Sequence, residues 1–443
     1  MTTGQSIGVT TAVPAGRSEP TQRQELGVEP EVVIQAAVAV RGHAVSIGWE
    51  GLGARFARYL TAATLSFYGD WLSTVALVVL VYRLSGPAAP AGYMVARVLP
   101  RLLSGAMGGD LADRIRPQHL IAATSLVQGL ATLSIVPAAR LHMVWAVYGA
   151  VVVAQFAGGL GRPAVGALVP RIAPPQKLQR ANSLCGLSQA SSVAVGPALA
   201  APLLALSGTD LLLVVDAITF FVAALLIGAL RTEPATGAGE IAPPHRGALA
   251  GLRVVWSDAG LRAIATSWLA NTIAITTASS VLVLIAGTFG SADLVGYFYA
   301  AVGGGAVLVG PLVLRLRPRR LSRDLVLAIA VVELLGLAVL TIHGPLWAAL
   351  LPLGISGTAG MVWQTWGATD MQSRAHHAML GRVTAVAVTA GSLGMLLGAV
   401  LALALVPLVG WQHTLFISCC VALLVLVAGT VAGPQSTVLT ARD

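Results

Sequence analysis

Charge is what this sequence has least of. Asp, Glu, Lys and Arg make up 10% of its 443 residues, while 56% are hydrophobic. Ordinary soluble domains carry about 25% charged residues. So little charge over this length excludes a single large water-soluble core and requires an apolar solvent, a membrane. Lysine is nearly missing: of 27 basic residues only Lys177 is lysine. Aromatic residues are 5% of the chain and do not interleave with the basic ones. The net charge of +9 therefore does not point to nucleic acid and reads better as positive loops flanking apolar runs. Cysteine is reduced to Cys185, Cys419 and Cys420, all in apolar stretches without ligand spacing. That excludes a disulfide framework and a thiolate metal site, and no cofactor is expected. No GxxxxGK[ST] loop is present, which argues against ATP drive within this chain. The eight histidines are scattered, so the clustered acid–base groups of an enzyme are missing too.

What the chain does have is long apolar runs. A helix needs about 20 apolar residues to cross the hydrocarbon layer. Cutting at Gly, Pro and charge clusters gives twelve candidate spans, at 57–82, 89–112, 119–138, 142–166, 178–206, 211–230, 260–286, 292–314, 324–342, 345–368, 379–407 and 412–432. The expected fold is an all-α integral membrane protein with two six-helix halves, 55–230 and 260–432, joined by a cytoplasmic loop, 231–259. Residues 1–54 read as a flexible cytoplasmic tail, in which EVVIQAAVAV is too short to span, and 433–443 as a second tail. Counted with the N-terminus inside, the inner loops carry sixteen basic residues and the outer ones only Arg83 and Arg140, so both termini are expected in the cytoplasm.

The halves repeat. GDLADRIRP from Gly109 and GPLVLRLRP from Gly310 lie 201 positions apart, each closing an apolar run. At the same offset Ser66 meets Ser267, Phe67 meets Trp268, Asp70 meets Asn271, Gly159 meets Gly360 and Gly166 meets Gly367. One offset serving three helices predicts two like-oriented halves, the parallel repeat of a secondary transporter, with the substrate path between them.

GGDLADRIRP resembles the loop signature of the major facilitator superfamily between its second and third helices. Gly109, Leu111, Asp113 and Arg114 fit; Arg116, Pro117 and Gln118 stand where the family commonly has Gly and two basic residues. GDWLSTVALVVLVYRLSG at Gly69, GRPAVGALVPRIAPPQKLQRANSL at Gly161 and GRVTAVAV at Gly381 resemble its drug and siderophore exporter branch. Ser192, Gly196, Pro197 and Ala200 resemble the antiporter motif of span 5, with Ser and Ala replacing several glycines. The plain alternative there is close helix packing by small residues. The resemblance implies a monomer, and a loop at Gly109, Asp113 and Arg114, matched by Arg315 and Asp370 in the second half, that latches one conformation.

Charges inside a bilayer cost about 2.5–3.5 kcal/mol each and mark function by default. Asp70 lies about 16 Å deep, and Arg97 and Arg101 about 12 and 18 Å, counted at 1.5 Å per residue. Spaced i, i+4, the arginines share a face that can meet Asp70. The cluster could exchange a proton or attract an anion, or be a structural ion pair. Glu333, mid-span 9 and unpaired in sequence, suits proton coupling or a cationic ligand, or packs protonated at the periphery. Asp216 and Arg162 read as residues near span ends. Gln155, Asn271, Trp363 and Gln364 are the candidates for lining a substrate path.

The expected function is a secondary transporter in a bacterial cell membrane, exchanging protons for a small amphipathic compound by alternating access. An importer on the same fold is the near alternative, and a non-transporting sensor a more distant one.

Overall fold

The computed structural model describes residues 51–231, 248–316, 322–342, 344–374 and 380–431. The expected tails, most of the central loop, and the Arg317-Pro318 end of the second repeat motif lie outside the described residues. So do the side chains of Asp113 and Gln364.

Helices α1 (Gly53–Ser85), α2 (Ala89–Arg114), α3 (Pro117–Arg140) and α4 (Val144–Ile172) follow one another through short turns. Arg83, Arg114, Arg140 and Arg171 stand in the four last turns. There the cation favours the negative end of the helix dipole while the apolar body stays uninterrupted. Helix α5 (Leu178–Gly228) is two limbs meeting at Gly208. The short helix α6 (Ala248–Ser257) falls within the segment expected as a loop. It is followed by α7 (Ala259–Thr288), α8 (Val295–Arg315) and α9 (Arg323–Val339). Helix α10 (Leu346–Val362) passes through a π turn, Trp363–Gly367, into α11 (Ala368–Arg374). Helix α12 (Leu380–Val431) again has two limbs, meeting at Gly410. No strand occurs among the described residues.

Gly208 and Gly410 have φ of 71° and 77°, a region that glycine enters without penalty. Each is the one non-helical residue between the two limbs of its helix, so no loop separates them. Eight helices among the described residues are long and apolar enough to cross a membrane, α5 and α12 being of double length. Helix α2, with Arg97 and Arg101 inside it, is not among the eight, nor is the 17-residue α9. Leu206, Leu308 and Leu408 are 85%, 82% and 77% exposed. Such exposed apolar side chains suit a lipid surround.

The same helix pairings recur in both halves. In the first, α1 lies on α5, where Thr64 and Ser188 hydroxyls are 2.6 Å apart, and α2 lies on α4. In the second, α7 lies on α12, and α8 on α10. The Thr277 hydroxyl donates to the Gly398 carbonyl at 3.0 Å, and Thr358 donates to the Gly305 carbonyl at 3.1 Å. The halves meet along α5–α8 and α2–α12. Arg262, 3% exposed, donates to the carbonyls of Gly429 at 3.0 Å and Trp256 at 2.6 Å, fixing α6 to the second half.

Candidate functional site

Five helices of the first half build a polar centre in otherwise apolar surroundings. Asp70, Ser73 and Thr74 come from α1 and Arg97 from α2. Gln128 and Thr132 come from α3, Gln155 from α4 and Asp216 from the second limb of α5. They enclose a cavity of about 20 Å³, room for a water molecule and too little for an organic compound. The hydroxyls of Ser73 and Thr74 turn back onto the Asp70 carbonyl. The polar positions of α3, Gln118, Ser125, Gln128 and Thr132, repeat at helical spacing and are all buried. Glycine makes the close packing possible: a Cβ at Gly159 would collide with Ser104 Oγ and the Arg101 backbone.

The geometry brings one expected cluster together and corrects another placement. Asp70 and the two arginines are brought together, and both arginines act electrostatically on Asp70. No ion pair within 4.0 Å joins them among the described residues. Asp216 is not an interfacial residue. It is 2% exposed, faces the same cavity, and its Oδ1 has no hydrogen-bond partner. Nearness to a span end does not decide exposure: Asp216 turns to the packed side of its limb. Arg162 lies within electrostatic reach of Arg101, so it too belongs to the centre's surroundings.

Glu333, read from sequence as unpaired, is not. It is 2% exposed and both its oxygens are occupied: Asn271 Nδ2 on α7 donates to Oε2, and Ser356 Oγ on α10 donates to Oε1 at 2.9 Å. Two candidates drawn from separate spans thus form one group.

The path candidates separate. Gln155 joins the first-half cavity, its Oε1 buried and without a partner. Asn271 joins Glu333. Trp363 opens the π turn, 8% exposed, with Nε1 unpartnered. On α5, Ser192 and Ala200 are 1% and 0% exposed, and a Cβ at Gly196 would meet Trp71 Cβ at 2.7 Å. The small residues of that motif, Pro197 included, are the surface on which α1 rests.

Of the expected latch, Arg114 and Arg315 are exposed at the ends of α2 and α8, and neither makes an ion pair among the described residues. A Cβ at Gly109 would meet nothing within 4 Å. Asp370 accepts from Arg374 Nε at 2.8 Å, and Arg374 also reaches Asp258, the N-cap of α7, at 3.9 Å.

A contact between the halves went unread in the sequence. Arg83, ending α1, holds both carboxylate oxygens of Asp293, before α8, at 2.6 and 2.8 Å. Further along the same seam between the halves, the Trp71 and Tyr299 ring centroids are 6.3 Å apart, and Gly296 packs on Ala201. An exposed pair of this kind is worth roughly 0.2–1 kcal/mol, so losing it shifts a two-state equilibrium up to about fivefold. Asp293→Asn is expected to lengthen the mean distance between spin labels placed on the two halves at this end. The double exchange Arg83→Asp with Asp293→Arg is expected to restore it. An unchanged distance distribution in Asp293→Asn would remove the pair as a gate.

These features define a class: a multi-pass helical membrane protein of two like halves, with buried ionisable groups in each. The chain belongs to the Major Facilitator Superfamily, whose pattern matches residues 59–399. It is 28% identical over 170 residues to the uncharacterized MFS-type transporter YfiS of Bacillus subtilis (strain 168), a match spanning 38% of this chain and 40% of that one. It is 25% identical over 363 residues to the uncharacterized MFS-type transporter y4rN of Sinorhizobium fredii (strain NBRC 101917 / NGR234), covering 77% of this chain and 86% of that one. Among solved structures it is similar to a bacterial homologue of the iron transporter ferroportin in an inward-facing state. That structure has a TM-score of 0.64 at 13% identity, over 85% of this chain and 98% of that one. The family and these relatives are transporters, not enzymes.

Proposed function

We propose that the chain is a proton-coupled exporter of a small amphipathic compound, such as a drug, antibiotic or siderophore-like metabolite. It works by alternating access between two six-helix halves that make twelve spans with both termini cytoplasmic, in a bacterial cytoplasmic membrane. The observation that carries this reading is the water-sized cavity shared by Asp70, Asp216, Arg97 and Gln155. Two carboxylates and a guanidinium around one water position can take up and release a proton. They cannot hold an organic ligand in that space, so proton and substrate occupy different places. The substrate then lies between the halves, bordered by Trp71 and Tyr299, and exchanges with the proton through the movement of α1 and α2. The membrane orientation follows from the arginines of the inner loops, and the exporter branch from the motifs at Gly69, Gly161 and Gly381. An importer on the same fold is the second reading, since the same cavity serves symport.

Inside-out vesicles with an acid interior and a trapped pH dye test it. A panel of hydrophobic cations, macrolides and siderophore-like compounds is added. Proton efflux that needs both the protein and one compound is the expected result. Compound-driven proton movement of the opposite sign indicates import, and none with any compound removes broad proton-coupled export.

A further inference from the structure

The offset that aligns the halves also aligns their buried polar groups. Asp70 on α1, Thr132 on α3 and Gln155 on α4 all line the first-half cavity. Moved by the same 201 positions they become Asn271, Glu333 and Ser356, where Glu333 accepts from the other two side chains in the second half. Each set has one carboxylate, one carboxamide and one hydroxyl. The groups are permuted: the acid moves from the half's first helix to its third, the amide from its fourth to its first, and the hydroxyl from its third to its fourth. The charges around the first set have no counterpart, because Arg97, Arg101 and Asp216 correspond to Phe298, Val302 and Ile417.

We infer that Asn271, Glu333 and Ser356 form a second proton-binding site, the repeat partner of the Asp70 site, in which the Asn271 amide follows the charge of Glu333. This deepens the proton-coupled reading above and rests on it for its place in transport, but binding a proton there needs no substrate. The chemistry balances within the three residues. Ionised, Glu333 accepts from Asn271 Nδ2 and Ser356 Oγ, as observed. When a proton adds to Oε2, the new O–H needs an acceptor; a half-turn of the amide brings Asn271 Oδ1 to face it. Ser356 donates in both states. The site suits a proton better than a metal cation, because donors rather than acceptors surround the carboxylate. In the first half, the buried and unpartnered Gln155 Oε1 is the corresponding acceptor within the cavity that Asp70 lines.

The groups around Glu333 leave its charge to this trio. Helices α7, α10 and α12 pack against α9. From α12 the titratable group facing Glu333 is Cys419. From α7 and α10 it is faced by Asn271 and Ser356, and no cation acts on it among the described residues. Arg262 of α7 is committed to the carbonyls of Gly429 and Trp256.

The test is infrared difference spectroscopy of the full-length protein in lipid nanodiscs, stepped between acid and alkaline buffer without substrate. A protonated-carboxyl band that comes and goes with pH is expected, lost in Glu333→Gln. It is expected to return at a shifted frequency in Asn271→Asp combined with Glu333→Gln, which moves the acid to the position Asp70 holds in the other half. Ser356→Ala, which keeps the acid, is expected to shift the band by removing one donor, so the site stays testable should Glu333→Gln fold poorly. A parent spectrum unchanged by both Glu333→Gln and Ser356→Ala would overturn the inference and leave the trio a packing contact. Failure of export in the vesicle assay with this band intact would sink the exporter reading while leaving the proton site standing.

Discussion

Asp70→Asn is expected to end proton-driven transport while sparing substrate exchange. The carboxylate faces a cavity with room for a water, beside a second carboxylate and within reach of two guanidinium groups. The amide keeps the size of the side chain and its contacts with α1, but cannot carry the proton. Loss of a proton-transferring group is felt at about a hundredfold or more. Uphill accumulation in inside-out vesicles should therefore fall by at least that factor. Exchange of labelled for unlabelled compound, which moves no net proton, should stay within a few-fold of the parent. Loss of both together would make Asp70 a substrate or folding residue instead. Asp216→Asn is the informative companion. If the carboxylates share one proton, its loss lowers the rate without abolishing coupling, because Asp70 retains the chemistry.

The largest effect on folding is expected from Gly398→Leu. Gly394 and Gly398 lie four apart on α12 and face α7, where a Cβ would meet the carbonyls of Leu269 and Ile273. Thr277 then closes the contact with its bond to the Gly398 carbonyl. Small residues at this spacing let two helices approach through their backbones, which is the main source of association in a medium where apolar side chains gain nothing by leaving lipid. Overpacking costs about 1–3 kcal/mol when side chains can give way and more when the obstacle is backbone. Gly398→Leu should fail to give monodisperse protein or lower its melting temperature steeply. Gly109→Ala, where the added methyl meets nothing, should melt like the parent. Equal melting of the Gly398 variant would mean that the α7–α12 approach is not what holds the second half.

Much of this architecture could be read from residue types alone. Asp70 with Asn271, and Gly159 with Gly360, are periodic marks that need no coordinates to pair. Arg97 and Arg101 fall on one face because helical spacing puts them there. The site itself was legible only in part. Glu333 looked unpaired because its partners lie 62 and 23 residues away on other helices, and a lone polar residue in an apolar run does not say which distant residue it meets. Asp216 reads as a residue near a span end because position along a helix does not tell which face it turns to the neighbouring helices. The missed stripe on α3 did leave a trace: Gln118, Ser125, Gln128 and Thr132 recur at helical spacing in an otherwise apolar run. The Arg83–Asp293 contact left none, since both residues look like ordinary loop charges.

The π turn at Trp363–Gly367 has a mechanical consequence. Under the repeat offset those five positions fall on Arg162 to Gly166, where α4 carries Pro163 in its interior. A proline leaves the carbonyl four residues earlier without its helical partner, and a π turn widens the ring of hydrogen bonds. Different chemistry thus lowers bending stiffness at the same turn of the fourth helix in each half. Under the proposed alternating access, flexure is expected to concentrate at these two turns. If the segments above and below keep their shape in that motion, each proposed proton site is carried with its side chains in register.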